Sequence, residues 1–326
     1  MRKRPLNHVL QSQQFDRELL ERIFMLARKM ERVLTGNRWN PKIFWEKLCF
    51  RVKVFWNLFH RQMVAMLFYE PSTRTRLSFE AAAQRLGGSV EGTEDANTFS
   101  SAAKGETIED TVRVIGCYAD AVIIRSKENG LSARAAAASP VPIINAGDGT
   151  GQHPTQALLD LFTIEQELGH IDGVKITMVG DLKNGRTVRS LCYLLVKNYR
   201  DVKIRFVSPR NLRMRDDIKT YLSEHGVRYE ETPDMQAAVA WADIVYMTRV
   251  QKERFEEGEE GKIDEKFIFD AAMLEHLQPH ARIMHPLPRV GEITEDVDQD
   301  QRAAYFRQVR NGLFVRMALL RLLLGW

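Results

Sequence analysis

Hydrophobic positions recur along this chain with two different spacings. Near the start, Leu19, Leu20, Ile23, Phe24, Ala27 and Met30 form one apolar stripe, which predicts an amphipathic helix from about Asp16 to Met30. Asp16 suits its N-cap, and Phe15 just before it can staple onto Leu20. From Val64 onward the spacing changes. Short, mostly uninterrupted apolar runs at 64–69, 120–124, 141–144, 174–179, 202–207, 243–247 and 281–284 alternate with helical stretches. Such runs are typical of parallel strands buried on both faces. They predict an α/β fold of two consecutive doubly wound domains with mostly parallel sheets, one before about residue 150 and one after it. Gln301 to Leu324, rich in Leu and Arg, reads as a long closing helix.

Residues 38–61 stand apart, with three of the five Trp, four of the sixteen Phe and six Lys or Arg. Phe44, Leu48, Val52, Phe55 and Phe59 have helical spacing, whereas Arg51–Trp56 alternates like a strand. The segment reads either as extra packing on the first domain or as a docking surface for a partner or membrane face. Over all 326 residues, 47 Lys and Arg against 43 Asp and Glu give a net charge of +4. That balance is too small to argue for nucleic acid, yet it suits a protein that handles anions. Cys49, Cys117 and Cys192 are sparse and far apart, with no metal spacing, as in a reducing compartment. No stretch reaches the ~18 apolar residues of a membrane span, and the basic start lacks the apolar core of a secretory signal. A soluble protein of the cell interior is expected, cytoplasmic, or plastid if a transit peptide has been removed.

The strongest chemical signal runs from Phe68 to Glu80, FYEPSTRTRLSFE. A buried strand ends, Pro71 breaks it, and Ser72, Thr73, Arg74 and Thr75 open a helix. First-turn N–H groups, the positive helix end, three hydroxyls and a guanidinium then converge, which holds a phosphate without a glycine-rich loop. Next, Gly147-Asp148-Gly149 leads to His153 and Gln156, three residues apart at a helix start. Imidazole polarises a carbonyl oxygen, and an amide oxygen accepts from an NH2 group. Arg125, Arg186 and Arg249, with Gln251 two residues on, follow three of the apolar runs. In open α/β sheets that is where ligands sit, and three arginines there point to a ligand with several negative groups. The prolines of His285-Pro286-Leu287-Pro288 fix a further strand-end backbone whose carbonyls can accept from an amide. No GxGxxG, HExxH, GxSxG or Walker A pattern occurs, so neither cofactor nor metal is expected.

STRTR, HPTQALLD, GDLKNGRTV, MTRVQKER and HPLPRVGEIT, in this order, resemble the aspartate/ornithine carbamoyltransferase family. The resemblance is to the catalytic chains of its aspartate branch, over about 64–326 and more loosely over 5–35. SSAAKGET and INAGDG are closest to the plant-type wording. The resemblance implies transfer of the carbamoyl group of carbamoyl phosphate to L-aspartate, giving N-carbamoyl-L-aspartate and phosphate, the committed step of pyrimidine synthesis. It implies a carbamoyl phosphate-binding domain over 1–152, with about 305–326 packing back on it, an aspartate-binding domain over 153–304, and shared helices joining them. By the same resemblance, Ser72, Thr73, Arg74, Thr75 and Arg125 hold the phosphate, and Thr75, Arg125 and His153 the carbonyl oxygen. Gln156 and the carbonyls of Pro286 and Leu287 take the carbamoyl NH2, while Arg186, Arg249 and Gln251 take the aspartate carboxylates. Ser100 and Lys104, the latter also facing aspartate, would come from a neighbouring subunit, which implies a homotrimer.

The ornithine branch shares STRTR and HPTQ but carries Cys where this chain has Pro286, and Arg249 with Gln251 suits a dicarboxylate. A non-catalytic structural homologue would be expected to lose a ligand position, and every matched position is filled here. Phe99 beside Ser100 resembles the plant-type loop over which UMP acts as a feedback ligand. The resemblance leaves separate regulatory chains open.

Overall fold

The structure is a computed structural model that describes residues 6–36, 40–60, 62–93, 95–96, 104–250 and 267–325, with residues 55–60 as backbone only. Phe99, Ser100, Gln251 and the acidic stretch Glu253 to Glu260 lie outside the described residues. The chain divides into two compact units, Met1–Thr155 with Asn311–Trp326, and Gln156–Arg310.

The first unit opens with helix α1 (Arg17–Thr35). Its Asp16 cap accepts from the Leu19 N–H at 2.8 Å, and Leu20, Ile23, Phe24, Ala27, Met30 and Val33 are buried. Helix α2 (Pro41–His60) follows, so the aromatic-basic segment is helical and not a strand. It sits against α1 through Lys47, whose Nζ donates to the Gly36 carbonyl at 2.7 Å, and through Arg32 and Glu46 at 3.4 Å. Phe44, Trp45, Leu48 and Val52 are exposed on it, Trp45 to 62%.

Then come β1 (Met63–Phe68), α3 (Thr73–Arg85), β2 (Ser89–Thr93), α4 (Ile108–Ile115), β3 (Ala121–Ser126), α5 (Leu131–Ala138) and β4 (Ile143–Asp148). The sheet order is β2-β1-β3-β4, all parallel. One face packs Ala65, Leu67, Val122, Ile124 and Ile143 onto Ile108, Val112 and Leu131. Val9 runs beside β4 as a short parallel bridge to Ile144.

Helix α6 (Pro154–Leu168) leads into the second unit: β5 (Lys175–Val179), α7 (Arg186–Asn198), β6 (Lys203–Val207), α8 (Asp216–Glu224), β7 (Arg228–Thr232), α9 (Met235–Trp241), β8 (Ile244–Met247), α10 (Ala271–Leu274) and β9 (Arg282–Met284). This sheet runs β7-β6-β5-β8-β9, again all parallel. Helix α11 (Tyr305–Leu324) closes the chain. Both α6 and α11 cross a unit boundary, so two helices are shared.

Seven strands fall on the seven apolar runs; β2 and β7 were not foreseen. Both are edge strands with polar or glycine residues, SVEGT and RYEET, and they are only partly buried. One exposed face removes the continuous apolar run by which a central strand is recognised. On β7, Glu230 lies opposite Arg205 of β6 and accepts from its Nε at 2.8 Å, a cross-strand ion pair.

Candidate active site

In each sheet the chain reverses direction of growth once. The first sheet builds outward from β1 to β2, then returns to add β3 and β4 on the other side; the second does the same between β5 and β8. Such switch points leave a crevice outside the carboxyl ends of the strands, the ordinary ligand position in this architecture. The predicted residues follow those ends.

At the first switch point, Phe68 of β1 is in register with Arg125 of β3, and the Tyr69 N–H donates to the Arg125 carbonyl at 2.8 Å. Four residues on, Ser72 caps α3 in an extended conformation, with no side-chain bond back to the helix. The first intrahelical bond of α3 runs from the Arg76 N–H to the Ser72 carbonyl at 3.1 Å. The N–H groups ahead of it have no carbonyl partner within the helix, as at any helix start. Thr75 is buried, while Thr73 and Arg74 are exposed. Behind this turn α3 is anchored. Phe79 is fully buried under the Arg316 guanidinium, 5.1 Å from its ring, and Arg316 donates to Ser78 Oγ at 3.0 Å.

Arg125 is 9% exposed and already engaged. It donates through Nη2 to Glu70 Oε1 at 3.0 Å and through Nη1 to the Ala146 carbonyl at 3.2 Å. Ala146 lies on β4, from which the chain runs to His153, buried just ahead of α6 with Nδ1 3.4 Å from Thr155 Oγ1. A cavity of about 480 Å3 abuts the ends of β1 and β3, lined by Tyr69, Ser126, Lys127 and Arg134 among others. Another cavity of this unit, about 820 Å3, lies against the N-terminal segment at His8 and Gln11 and includes none of the predicted residues.

At the second switch point, β5 and β8 end side by side, Val179 opposite Met247. Gly180 has φ of +114°, and a Cβ there would lie 2.2 Å from the Thr248 carbonyl oxygen, so only glycine allows the two strand ends to close up. The turn that follows is tied by Asp181, which accepts from the Asn184 N–H at 3.0 Å and from its Nδ2 at 3.2 Å. It delivers Arg186, 6% exposed, as the first residue of α7. Arg249 stands two residues past β8 and is half-buried.

Beside β8, β9 leads into His285-Pro286-Leu287-Pro288, where Leu287 has φ of +50°. A leucine in the left-handed region is held there by its surroundings. The buried His285 provides them. Its Nδ1 accepts from the Leu287 N–H at 2.7 Å, which leaves Nε2 to donate to Glu292 Oε1 at 2.7 Å. Glu292 Oε2 accepts from the Val290 N–H at 2.8 Å. Burial pushes the Glu292 carboxyl up, but the hydrogen bond from His285 and those from the backbone N–H groups outweigh it and hold it below its ordinary value.

Gln156 donates through Nε2 to Asp160 Oδ1 at 2.8 Å, so its amide oxygen is the end left to accept. Lys104 is exposed. Sequence reasoning missed Glu70, Asp160 and Tyr246. The signal for Asp160 was present as an acid one turn past Gln156 inside the apolar stretch ALLDLF. Among the described residues, no group of three or more His, Cys, Asp or Glu is arranged to hold a metal ion. No helix of the described residues is long and apolar enough to cross a membrane.

Comparisons with known proteins also divide the chain in two, with the boundary some ten to fifteen residues later and the last helix counted with the second part. Residues 7–166 match the family model "Aspartate/ornithine carbamoyltransferase, carbamoyl-P binding domain", and 172–323 match the Asp/Orn binding domain of that family. Aspartate carbamoyltransferase 1, chloroplastic, of Pisum sativum is 53% identical over 98% of this chain and 80% of its own length. The catalytic subunit of M. Jannaschii aspartate transcarbamoylase superposes with a TM-score of 0.84 at 42% identity, covering 98% of each chain. Trypanosoma cruzi aspartate transcarbamoylase, solved with N-(phosphonacetyl)-L-aspartic acid, gives 0.81 at 37% identity over 96% of this chain and 94% of its own. With both halves of its fold matched, the chain belongs to the aspartate/ornithine carbamoyltransferase family.

Proposed function

We propose that this chain carries out carbamoyl transfer from carbamoyl phosphate to L-aspartate, yielding N-carbamoyl-L-aspartate and phosphate, an early step of pyrimidine synthesis. The observation that carries the reading is the placement of the arginines: Arg125 follows a strand at the first switch point, and Arg186 and Arg249 follow strands at the second. One guanidinium meets a phosphate and two meet a dicarboxylate, and ornithine has no second carboxylate for them.

In this reading the first unit binds carbamoyl phosphate and the second aspartate. Ser72, Thr73, Arg74 and Thr75 hold the phosphate with Arg125, at the positive end of α3. The aspartate nitrogen attacks the carbamoyl carbon and forms the new C–N bond. The carbonyl oxygen gains charge and is stabilised by Thr75, Arg125 and His153. The bond from the carbamoyl carbon to the bridging phosphate oxygen then breaks, the O–P bond stays intact, and phosphate leaves with the electron pair and accepts the amine proton. Gln156 and the carbonyls of Pro286 and Leu287 hold the carbamoyl NH2; Arg186, Arg249 and Gln251 hold the aspartate. Positioning two bound substrates supplies up to ~7–11 kcal/mol of the barrier. One well-aimed oxyanion donor adds roughly 2.7–4 kcal/mol.

Ser100 and Lys104, supplied by a neighbouring copy, make a homotrimer the minimal active unit in this reading. UMP competes with carbamoyl phosphate there, held under the loop that carries Phe99, and Phe99→Ala relieves that inhibition. Turnover of carbamoyl phosphate with aspartate and with ornithine, on the purified chain alone, tests the reading. Product with aspartate only is expected and would show that no regulatory chain is needed; product with ornithine only, or with neither in a folded sample of trimer mass, would overturn it.

A further inference from the structure

We infer that Asp160 is a positioning residue for the carbamoyl group, acting through Gln156 and Gln308; the inference rests on the function proposed above. Asp160 is fully buried in α6, a helix whose neighbouring residues Leu158, Leu159, Leu161 and Phe162 are all buried apolar groups. A carboxylate in such a place is costly, and an apolar side chain would serve packing better. Three donors from three different elements converge on it. Gln156 Nε2 and Gln308 Nε2 donate to Oδ1 at 2.8 and 2.6 Å, and the Tyr246 hydroxyl donates to Oδ2 at 2.7 Å. Burial first, and then the charge of Asp160, push the Tyr246 phenol well above its ordinary value, so it remains a donor at every working pH.

What distinguishes this cluster from a satisfied core contact is where its far ends point. A side-chain amide has one donating and one accepting end. By taking the NH2 of Gln156, Asp160 leaves the Gln156 oxygen as the free end of that amide, the end that can accept from a carbamoyl NH2. By taking the NH2 of Gln308, it turns that oxygen to the His285 N–H, which donates to it at 2.9 Å. His285 opens the segment whose next two carbonyls, on Pro286 and Leu287, are the other acceptors proposed for the same NH2. One carboxylate thus sets the polarity of two amides, and through them all three acceptors. Its second oxygen holds Tyr246, whose hydroxyl also meets the side chain of Thr187, next to Arg186.

Asp160→Asn keeps the shape and removes the sense. An amide at 160 offers a donor as readily as an acceptor, so Gln156 is free to rotate and present its own NH2 to the substrate. Because the contact is made before and during the reaction alike, its loss raises KM and spares kcat. The expected result for Asp160→Asn is a KM for carbamoyl phosphate raised roughly tenfold or more with kcat within about threefold. Inhibition by inorganic phosphate, which carries no NH2 and uses the Ser72–Arg74 turn, should be unchanged within about twofold. A residue that merely props up the fold would weaken phosphate and carbamoyl phosphate together. Gln308→Met, measured beside it, removes one link while leaving the Asp160 charge in place, and should shift KM in the same direction. An unchanged KM for carbamoyl phosphate in Asp160→Asn, or a parallel loss of phosphate affinity, overturns the inference while the wild type still turns over aspartate. If Asp160→Asn does not fold, an unchanged KM in Gln308→Met overturns it. A wild type silent with aspartate overturns this inference and the function it rests on.

Discussion

Replacing Glu70 with Gln should tighten the binding of inorganic phosphate. In the structure the guanidinium proposed to meet the phosphate is held by this carboxylate, at 3.0 Å, with the side chains of Arg125 and Glu70 only 10% and 18% exposed. Two unit charges at that distance attract by about 5–6 kcal/mol at an effective dielectric near 20, before desolvation is counted. The net worth of a hydrogen bond between charged groups is smaller, about 1.5–3 kcal/mol. An incoming phosphate must draw Arg125 away from Glu70 or share it with a second anion. Gln at position 70 keeps an oxygen for the bond and drops the charge. Recovering roughly half of the pair's net worth, about 1.4 kcal/mol, corresponds to a tenfold lower Kd. Isothermal titration of phosphate into wild type and Glu70→Gln at one fixed ionic strength reads this directly, with a thermal melt to show that both are folded. A Kd unchanged within twofold, or a weaker one, would falsify the view that Glu70 and phosphate compete for Arg125.

Acid should open the second unit first. Hydrogen bonds from Arg289 and Arg302 hold Asp298 and Asp300 below their ordinary 3.8, and at Glu167 the bonds from Arg307 and Arg282 overcome burial to hold it below 4.5. With Glu292, these depressed carboxylates contribute stability that is present above their ordinary values and lost as pH falls through the folded ones. Hydrogen exchange between pH 5 and 3 should therefore show 156–310 losing protection before 62–155; the reverse order sinks the idea. Native protein should show two fast thiols, since Cys49 and Cys117 are exposed, and a third only after denaturation, because burial pushes Cys192 up to about 12. Three fast thiols would contradict the buried placement of α7. Phe44→Ser with Leu48→Ser, at side chains 51% and 40% exposed, should shift Tm by less than about 2 °C, and a drop above about 5 °C would mean that the outer face of α2 is covered.

How much of this was legible in the sequence depended on burial. Strands β1, β3, β5 and β8 are flanked on both sides and buried on both faces, so runs such as VAMLF and IVYM stand out. Edge strands β2 and β7 face water on one side, and Glu91, Gly92, Arg228 and Glu230 hide them. For the proposed site, local order was enough to place a residue at its own strand end or helix start: Ser72 to Thr75, Arg125, His153, Arg186 and Arg249 carry their position in the few residues before them. Partners were not legible. Tyr246 is 86 residues from Asp160 and Gln308 is 148, and nothing local marks either as a donor to that carboxylate. Glu70, two residues from Ser72, was passed over because its partner lies 55 residues away.

On the ribosome, the second unit of this chain is complete before the first. Residues 156–310 are contiguous, whereas the first unit waits for 311–326. Arg316 reaches Ser78 across 238 residues, so at about 5–20 residues per second α3 is without that contact for roughly 12–48 s after its own synthesis. The Gln62 side chain likewise waits for the Leu324 carbonyl, its acceptor at 3.2 Å. Throughout that interval the helix whose first turn is proposed to hold phosphate lacks its backing, and buried residues such as Phe79 are open to chaperones and proteases. A chain stalled before residue 311 thus lacks a complete first unit by the order of synthesis itself, and α11 works as a seal on that unit.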